Sequence, residues 1–180
     1  MINKPEKILK RISKAVGQRQ AVLTIGNWDQ FLVALIKENE NSITQISRTQ
    51  ELNNLENNSF TRVIADYNSL VPSFFNEARR LLLPTGTVII SANCELNIFE
   101  KLISKLKVSS WVHEHPDSDS SIRIKPKILQ DKIHDNNFLI DGYYGYPGGH
   151  LLMMAQIQNK EVTTLFASDK QETVKNKIEY

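Results

Sequence analysis

Ala21-Val22-Leu23-Thr24-Ile25-Gly26-Asn27-Trp28-Asp29 is the stretch that decides the fold. A short apolar run ends in glycine, and Phe31, Leu32, Leu35 and Ile36 then recur at helical spacing. A buried parallel strand feeding a helix has this pattern. In an open α/β sheet, the turn after the first strand is where a nucleotide-like ligand sits. Here that turn holds one glycine, Gly26.

Toward the N-terminus, Ile8, Leu9, Ile12, Ala15 and Val16 form one apolar stripe, and Lys4, Lys7, Lys10, Arg11 and Lys14 fill the other face. The spacing predicts a basic amphipathic helix within residues 1–18, ended by Gly17. Packed on the sheet, it would present a solvated basic face, which also suits RNA, an anionic surface or a partner.

Toward the C-terminus, the pattern predicts a helix over 28–37 and a strand over 42–46. A short helix and loop over 50–58, a strand over 60–65 and a helix over 71–83 follow. Pro84-Thr85-Gly86 reads as a turn. Residues 87–91, Thr-Val-Ile-Ile-Ser, are apolar enough for a central strand. Helix 97–107, strand 108–112, a charged loop over 114–121 and helix 126–136 come next. Strand 138–144, a glycine-rich reversal over 143–150 and strand 151–157 complete the pattern. After Lys160 only a short strand at 162–166 is suggested, within a frayed tail over 161–180.

Alternating strands and helices argue for a mostly parallel sheet with helices on both faces. The last two strands lie too close for a crossover helix, so the final one should run antiparallel. Val22, Leu23, Ile25, Val63, Ile64, Val88, Ile89, Ile90, Leu152 and Met154 are the expected core. No repeat or linker interrupts residues 1–180, which read as one domain. The chain has 180 residues, 41% of them hydrophobic, enough for a sizeable core. A net charge of +2 does not by itself suggest nucleic acid. Cys94 is the only cysteine, which excludes an internal disulfide and multi-cysteine metal sites and fits a reducing cytoplasm. No apolar run approaches the roughly 20 residues of a transmembrane helix, and no apolar core of a secretory signal is present.

Residues 78–91, Ala-Arg-Arg-Leu-Leu-Leu-Pro-Thr-Gly-Thr-Val-Ile-Ile-Ser, resemble the helix, Leu-x-Pro-Gly-Gly turn and strand of class I S-adenosylmethionine-dependent methyltransferases. A second similarity is the helix over 126–136, followed by Asn137-Phe138 at the family's Gly-Phe position and by a hairpin. The resemblance spans about residues 19–158 and implies a Rossmann-like methyltransferase fold with an antiparallel last strand. In the family's first loop an acidic residue precedes Gly-x-Gly-x-Gly. The matching positions here are Thr24, Gly26, Trp28 and Gln30. Glycine there lets backbone approach the cofactor, and an indole at 28 is expected to fill the space of the cofactor's amino-acid part or, alternatively, to stack on the adenine or the sulfonium. The acidic residue that holds the ribose falls at Ser47, which lacks the charge for a charge-assisted pair. The family's further strand and helix before strand 60–65 find only about a dozen residues here. Asp66 is the one acidic residue near the expected mouth.

The resemblance thus implies a degenerate cofactor site at Gly26, Asn27, Trp28, Ser47 and Asp66, with no cofactor and catalytic residues unknown. The expected role is non-catalytic binding or scaffolding of a protein partner, a catalytic homologue or a second copy, or of RNA or an anionic surface through the N-terminal helix. The alternative is an active methyltransferase on a small molecule, with S-adenosylmethionine bound. Other constellations are weaker. His113-Glu114-His115 with Asp117 and Asp119 has two imidazoles on one side of an extended segment but no placed third ligand, and reads as a solvated loop rather than a metal site. Cys94 would need a base such as His150 or His113 to act as a nucleophile, and otherwise is a buried thiol. Tyr143, Tyr144 and Tyr146 beside Gly148 and Gly149 suit a hairpin turn or the lip of a cleft.

Overall fold

The computed structural model describes residues 4–94, 123–146 and 149–158. The helix over 97–107, strand 108–112, the loop with His113, His115, Asp117 and Asp119, and strand 162–166 lie outside the described residues.

Helix α1 (Glu6–Val16) leads to β1 (Ala21–Ile25), α2 (Gln30–Lys37) and β2 (Ser42–Ile46). A 3-10 turn at Thr49–Asn54 precedes β3 (Phe60–Asp66), and a second at Tyr67–Ser69 precedes α3 (Phe74–Leu81) and β4 (Leu82–Cys94). The two-residue β5 (Arg123–Ile124), α4 (Pro126–Asp135), β6 (Phe138–Tyr146) and β7 (His150–Ile157) complete the described chain. The sheet order is β2-β1-β3-β4-β7-β6, with β5 paired to the end of β4. β1, β2, β3 and β4 pair in parallel, and β7 is antiparallel to both β4 and β6.

Each face of the sheet buries its own cluster. On one, Phe74, Phe75, Ala78 and Leu81 of α3 and Leu129 and Ile133 of α4 pack on Leu23, Ile25, Val63, Val88 and Ile90. On the other, Ile8, Leu9, Ile12 and Val16 of α1 and Leu32 and Ile36 of α2 pack on Val22, Ile64, Ile89 and Leu152. Successive strand residues alternate between the two clusters, as the pleat requires. Of the expected core only Met154 is partly exposed, lying at the margin of the α1 cluster. β4 is interior, between β3 and β7.

Several boundaries differ from the sequence pattern. α2 starts at Gln30, because Asp29 caps it: its side chain accepts from the Phe31 N–H at 2.8 Å. α3 ends at Leu81, and residues 84–86 belong to β4 instead of forming a separate turn. Phe60 pairs with Leu82, but Arg62 already pairs with Thr87, so the strand absorbs them as a bulge. β5 falls at Arg123–Ile124, where no strand was expected.

β2 is the outermost strand of this end of the sheet. The short connection to β3 is pinned by Arg80, whose guanidinium donates to the Leu52 and Leu55 carbonyls, both at 2.8 Å.

Candidate functional site

Parallel register brings the ends of β1, β2 and β3 to one edge. Ile25 pairs with Ile46 and with Ala65, so Gly26, Ser47 and Asp66 follow side by side. Gly26 is buried with φ +103°, a left-handed backbone that favours glycine, and its N–H donates to the Ile46 carbonyl at 2.9 Å. Asn27 and Ser47 are exposed. These three and Asp66 share the mouth of the sheet.

Trp28 does not. Its side chain is fully buried in the cluster beneath α1, among Ile8, Ile12 and Leu32. The indole Nε1–H donates to the Ile25 carbonyl at 3.0 Å, which satisfies its one polar atom. The turn at Gly26 aims the indole under the helix, where apolar burial holds it.

The mouth holds a residue that helical periodicity misplaces. Lys4 precedes the first turn of α1, so it does not share the solvated face with Lys7, Lys10 and Lys14. Packing of Ile8 and Leu9 on the sheet carries the segment across the strand ends. There Lys4 Nζ sits 2.9 Å from Asp66 Oδ2, with both side chains only 4% exposed. Lys4 Nζ also donates to Asn93 Oδ1 at 3.0 Å, and that oxygen lies 2.9 Å from His150 Nδ1. The other Asp66 oxygen accepts from the Asn68 N–H at 3.1 Å. A buried charge pair of this kind is tolerated when further hydrogen bonds hold its members. Asn93 and His150 are register partners across β4 and β7, a juxtaposition set by hairpin register. Lys4 had no local signal at all.

Two buried hydroxyls on the same face, Thr24 Oγ1 and Ser91 Oγ, have no hydrogen-bond partner. Cys94 points to the opposite face, in the cluster with Ile124, and its backbone N–H donates to the Gly149 carbonyl. Burial pushes its thiol up to about 11, against the smaller opposing pull of the Lys4 charge. Neutral at ordinary pH and on the other side of the sheet from His150, it lacks what a nucleophile needs. Among the described residues no group of three metal-ligating side chains occurs, and no helix is long and apolar enough to cross a membrane.

No protein-family model matches this sequence, and no curated protein matches it. Solved structures do. An S-adenosylmethionine-dependent methyltransferase from Aquifex aeolicus aligns with TM-score 0.59 at 13% identity, over 86% of this chain and 89% of that one. The 1,6-didemethyltoxoflavin-N1-methyltransferase of Burkholderia thailandensis, solved with S-adenosylhomocysteine, aligns with TM-score 0.59 at 13% identity over 86% and 80%. A Rhodobacter sphaeroides structure described as a Zn-dependent alcohol dehydrogenase aligns with TM-score 0.55 at 14% identity over 87% and 91%. At such identities the likeness is one of architecture. With its parallel β2-β1-β3-β4 sheet, reversed β7 and helices on both faces, the chain has the fold of the class I S-adenosylmethionine-dependent methyltransferases.

Proposed function

We propose that this chain is a methyltransferase-like domain that does not bind S-adenosylmethionine and acts in the cytoplasm as a non-catalytic binding or scaffold protein. Its partner would be a protein, either a catalytic homologue or a second copy of itself. The observation that carries the proposal is the Lys4–Asp66 ion pair across the mouth of the sheet. S-adenosylmethionine carries two cationic groups, its sulfonium and its α-ammonium, beside one carboxylate. A carboxylate already neutralised by an ammonium offers them little, and the ammonium itself repels them.

Other features support the same conclusion. Thr24 stands where the resemblance calls for an acidic residue, and its hydroxyl is buried without a partner. Ser47 stands for the second acid. Each lost charge-assisted hydrogen bond removes about 1.5–3 kcal/mol. Among the described residues β2 is the outermost strand at its end, and none of them adds a further strand as apolar wall beside an adenine. The residues present do not fit the cofactor.

Calorimetric titration with S-adenosylmethionine tests this, on the native protein and on Lys4→Ala. The expected dissociation constant is weaker than about millimolar in both, a free energy of only about −4 kcal/mol. Micromolar binding by the native chain overturns the proposal and restores the alternative, an active S-adenosylmethionine-dependent methyltransferase acting on a small molecule. Micromolar binding by Lys4→Ala alone would leave the native chain a non-binder and make the ion pair itself what excludes the cofactor, with an otherwise intact site beneath the lysine. Trp28→Gly is the poorer probe, because emptying a buried indole site costs about 3–5 kcal/mol of stability by itself.

A further inference from the structure

We infer that the groove between α1 and β6 binds a single-stranded nucleic acid. This goes beyond the proposed function and does not depend on whether the cofactor binds. The groove is open, of about 460 Å³, and is lined by Lys7, Lys10, Arg11, Lys14, Tyr144 and Gly145. Lys7, Lys10 and Lys14 are exposed. They run about 10 Å along the helix, and Lys10 is ion-paired with Glu6 in solvent. Such a row of cations on one wall matches a chain of phosphates.

The opposite wall supplies what distinguishes a single strand from a simple polyanion. The Arg11 guanidinium lies 3.8 Å above the centre of the Tyr144 ring. A guanidinium held on a ring on one side is a stacking platform for an unpaired base on the other. Next to it Gly145 carries no side chain, and a Cβ there would meet nothing within 4 Å, so the groove floor stays open for a planar group.

A lipid surface fits less well. Ile8, Leu9, Ile12 and Val16 are at most 2% exposed, all spent on the core, so α1 has no apolar face to insert.

The test is anisotropy with a fluorescein-labelled oligouridine across a range of KCl concentrations. The expected slope of log K against log salt is about −2 if Lys7, Lys10 and Lys14 each meet a phosphate. Lys7→Gln with Lys14→Gln should make that slope shallower by about 1.4. Arg11→Lys keeps the charge but removes the plane, so affinity should fall about tenfold at unchanged slope. Gly145→Glu, at an exposed position of β6, should abolish binding, with circular dichroism reporting the fold of each variant. No binding by the native chain, or binding unchanged in Gly145→Glu, overturns the inference. Tighter binding of a duplex, or of phosphatidylserine vesicles, through the same residues overturns it as well, in favour of a shape reader or a membrane-surface contact.

Discussion

The two faces of this sheet are built from similar helices and hold different things. The α3/α4 face is packed almost wholly with Phe, Leu, Ile and Val, and its one thiol is inert. The α1/α2 face buries a smaller apolar cluster, together with a lysine–aspartate pair, two unpartnered hydroxyls and an indole, and has the basic groove at its margin. Side chains that packing alone would exclude are thus confined to one face. One face is mainly packing, and the other adds the charged and polar groups of the mouth and of the groove.

The comparison breaks first on apolar deletions, which should be costly on both sides. Phe75→Ala, whose ring meets Phe74 and Phe138 on the α3 face, should lose about 3–5 kcal/mol by urea denaturation. Ile89→Ala, on the α1 face of the interior strand β4, should lose about 2–5 kcal/mol. A much smaller loss at Ile89 would mean that the α1 face is loosely packed.

Charge comes next. Lys4→Met should cost about 3 kcal/mol, because it strands a buried carboxylate. Adding Asp66→Asn, which keeps an acceptor for the Asn68 N–H, should recover more than half of that. With Asp66→Asn alone as the remaining corner of the cycle, a double-variant cost equal to the sum of the two single costs would show that the two charges are not coupled. The smallest effects belong to the unpartnered hydroxyls: Thr24→Val and Ser91→Ala should be neutral or stabilising by up to about 1 kcal/mol, since neither breaks a hydrogen bond. Finally, the Cys94 thiol, held up to about 11 by burial, should resist iodoacetamide at neutral pH. It should react as pH climbs beyond the usual thiol range or as the chain unfolds, and fast labelling of the folded protein at neutral pH would contradict its burial.

Much of the fold was legible from the residues. β1 and β2 begin and end where their apolar or β-branched runs do, and the reversed β7 follows from a connection too short for a crossover. Strand β4 was legible in its apolar centre but not in its length, because a proline and a glycine that ordinarily punctuate a chain are accommodated here in a bulge. The mouth was half legible. Gly26, Ser47 and Asp66 come together because parallel register carries them there. Where Trp28 points depends on one positive φ at Gly26, and the place of Lys4 depends on how the chain enters its first helix. Neither leaves a periodic trace.

The closure by Lys4 also orders events in time. Its partner Asn93 is 89 residues away, and His150 a further 57 beyond. Long-range contacts of this kind are slow to form, because the intervening chain must first be ordered. During synthesis the lysine emerges first and the β7 residue that completes its network emerges last. The complete Lys4 network therefore needs the hairpin of β6 and β7 seated on β4, because His150 is held there.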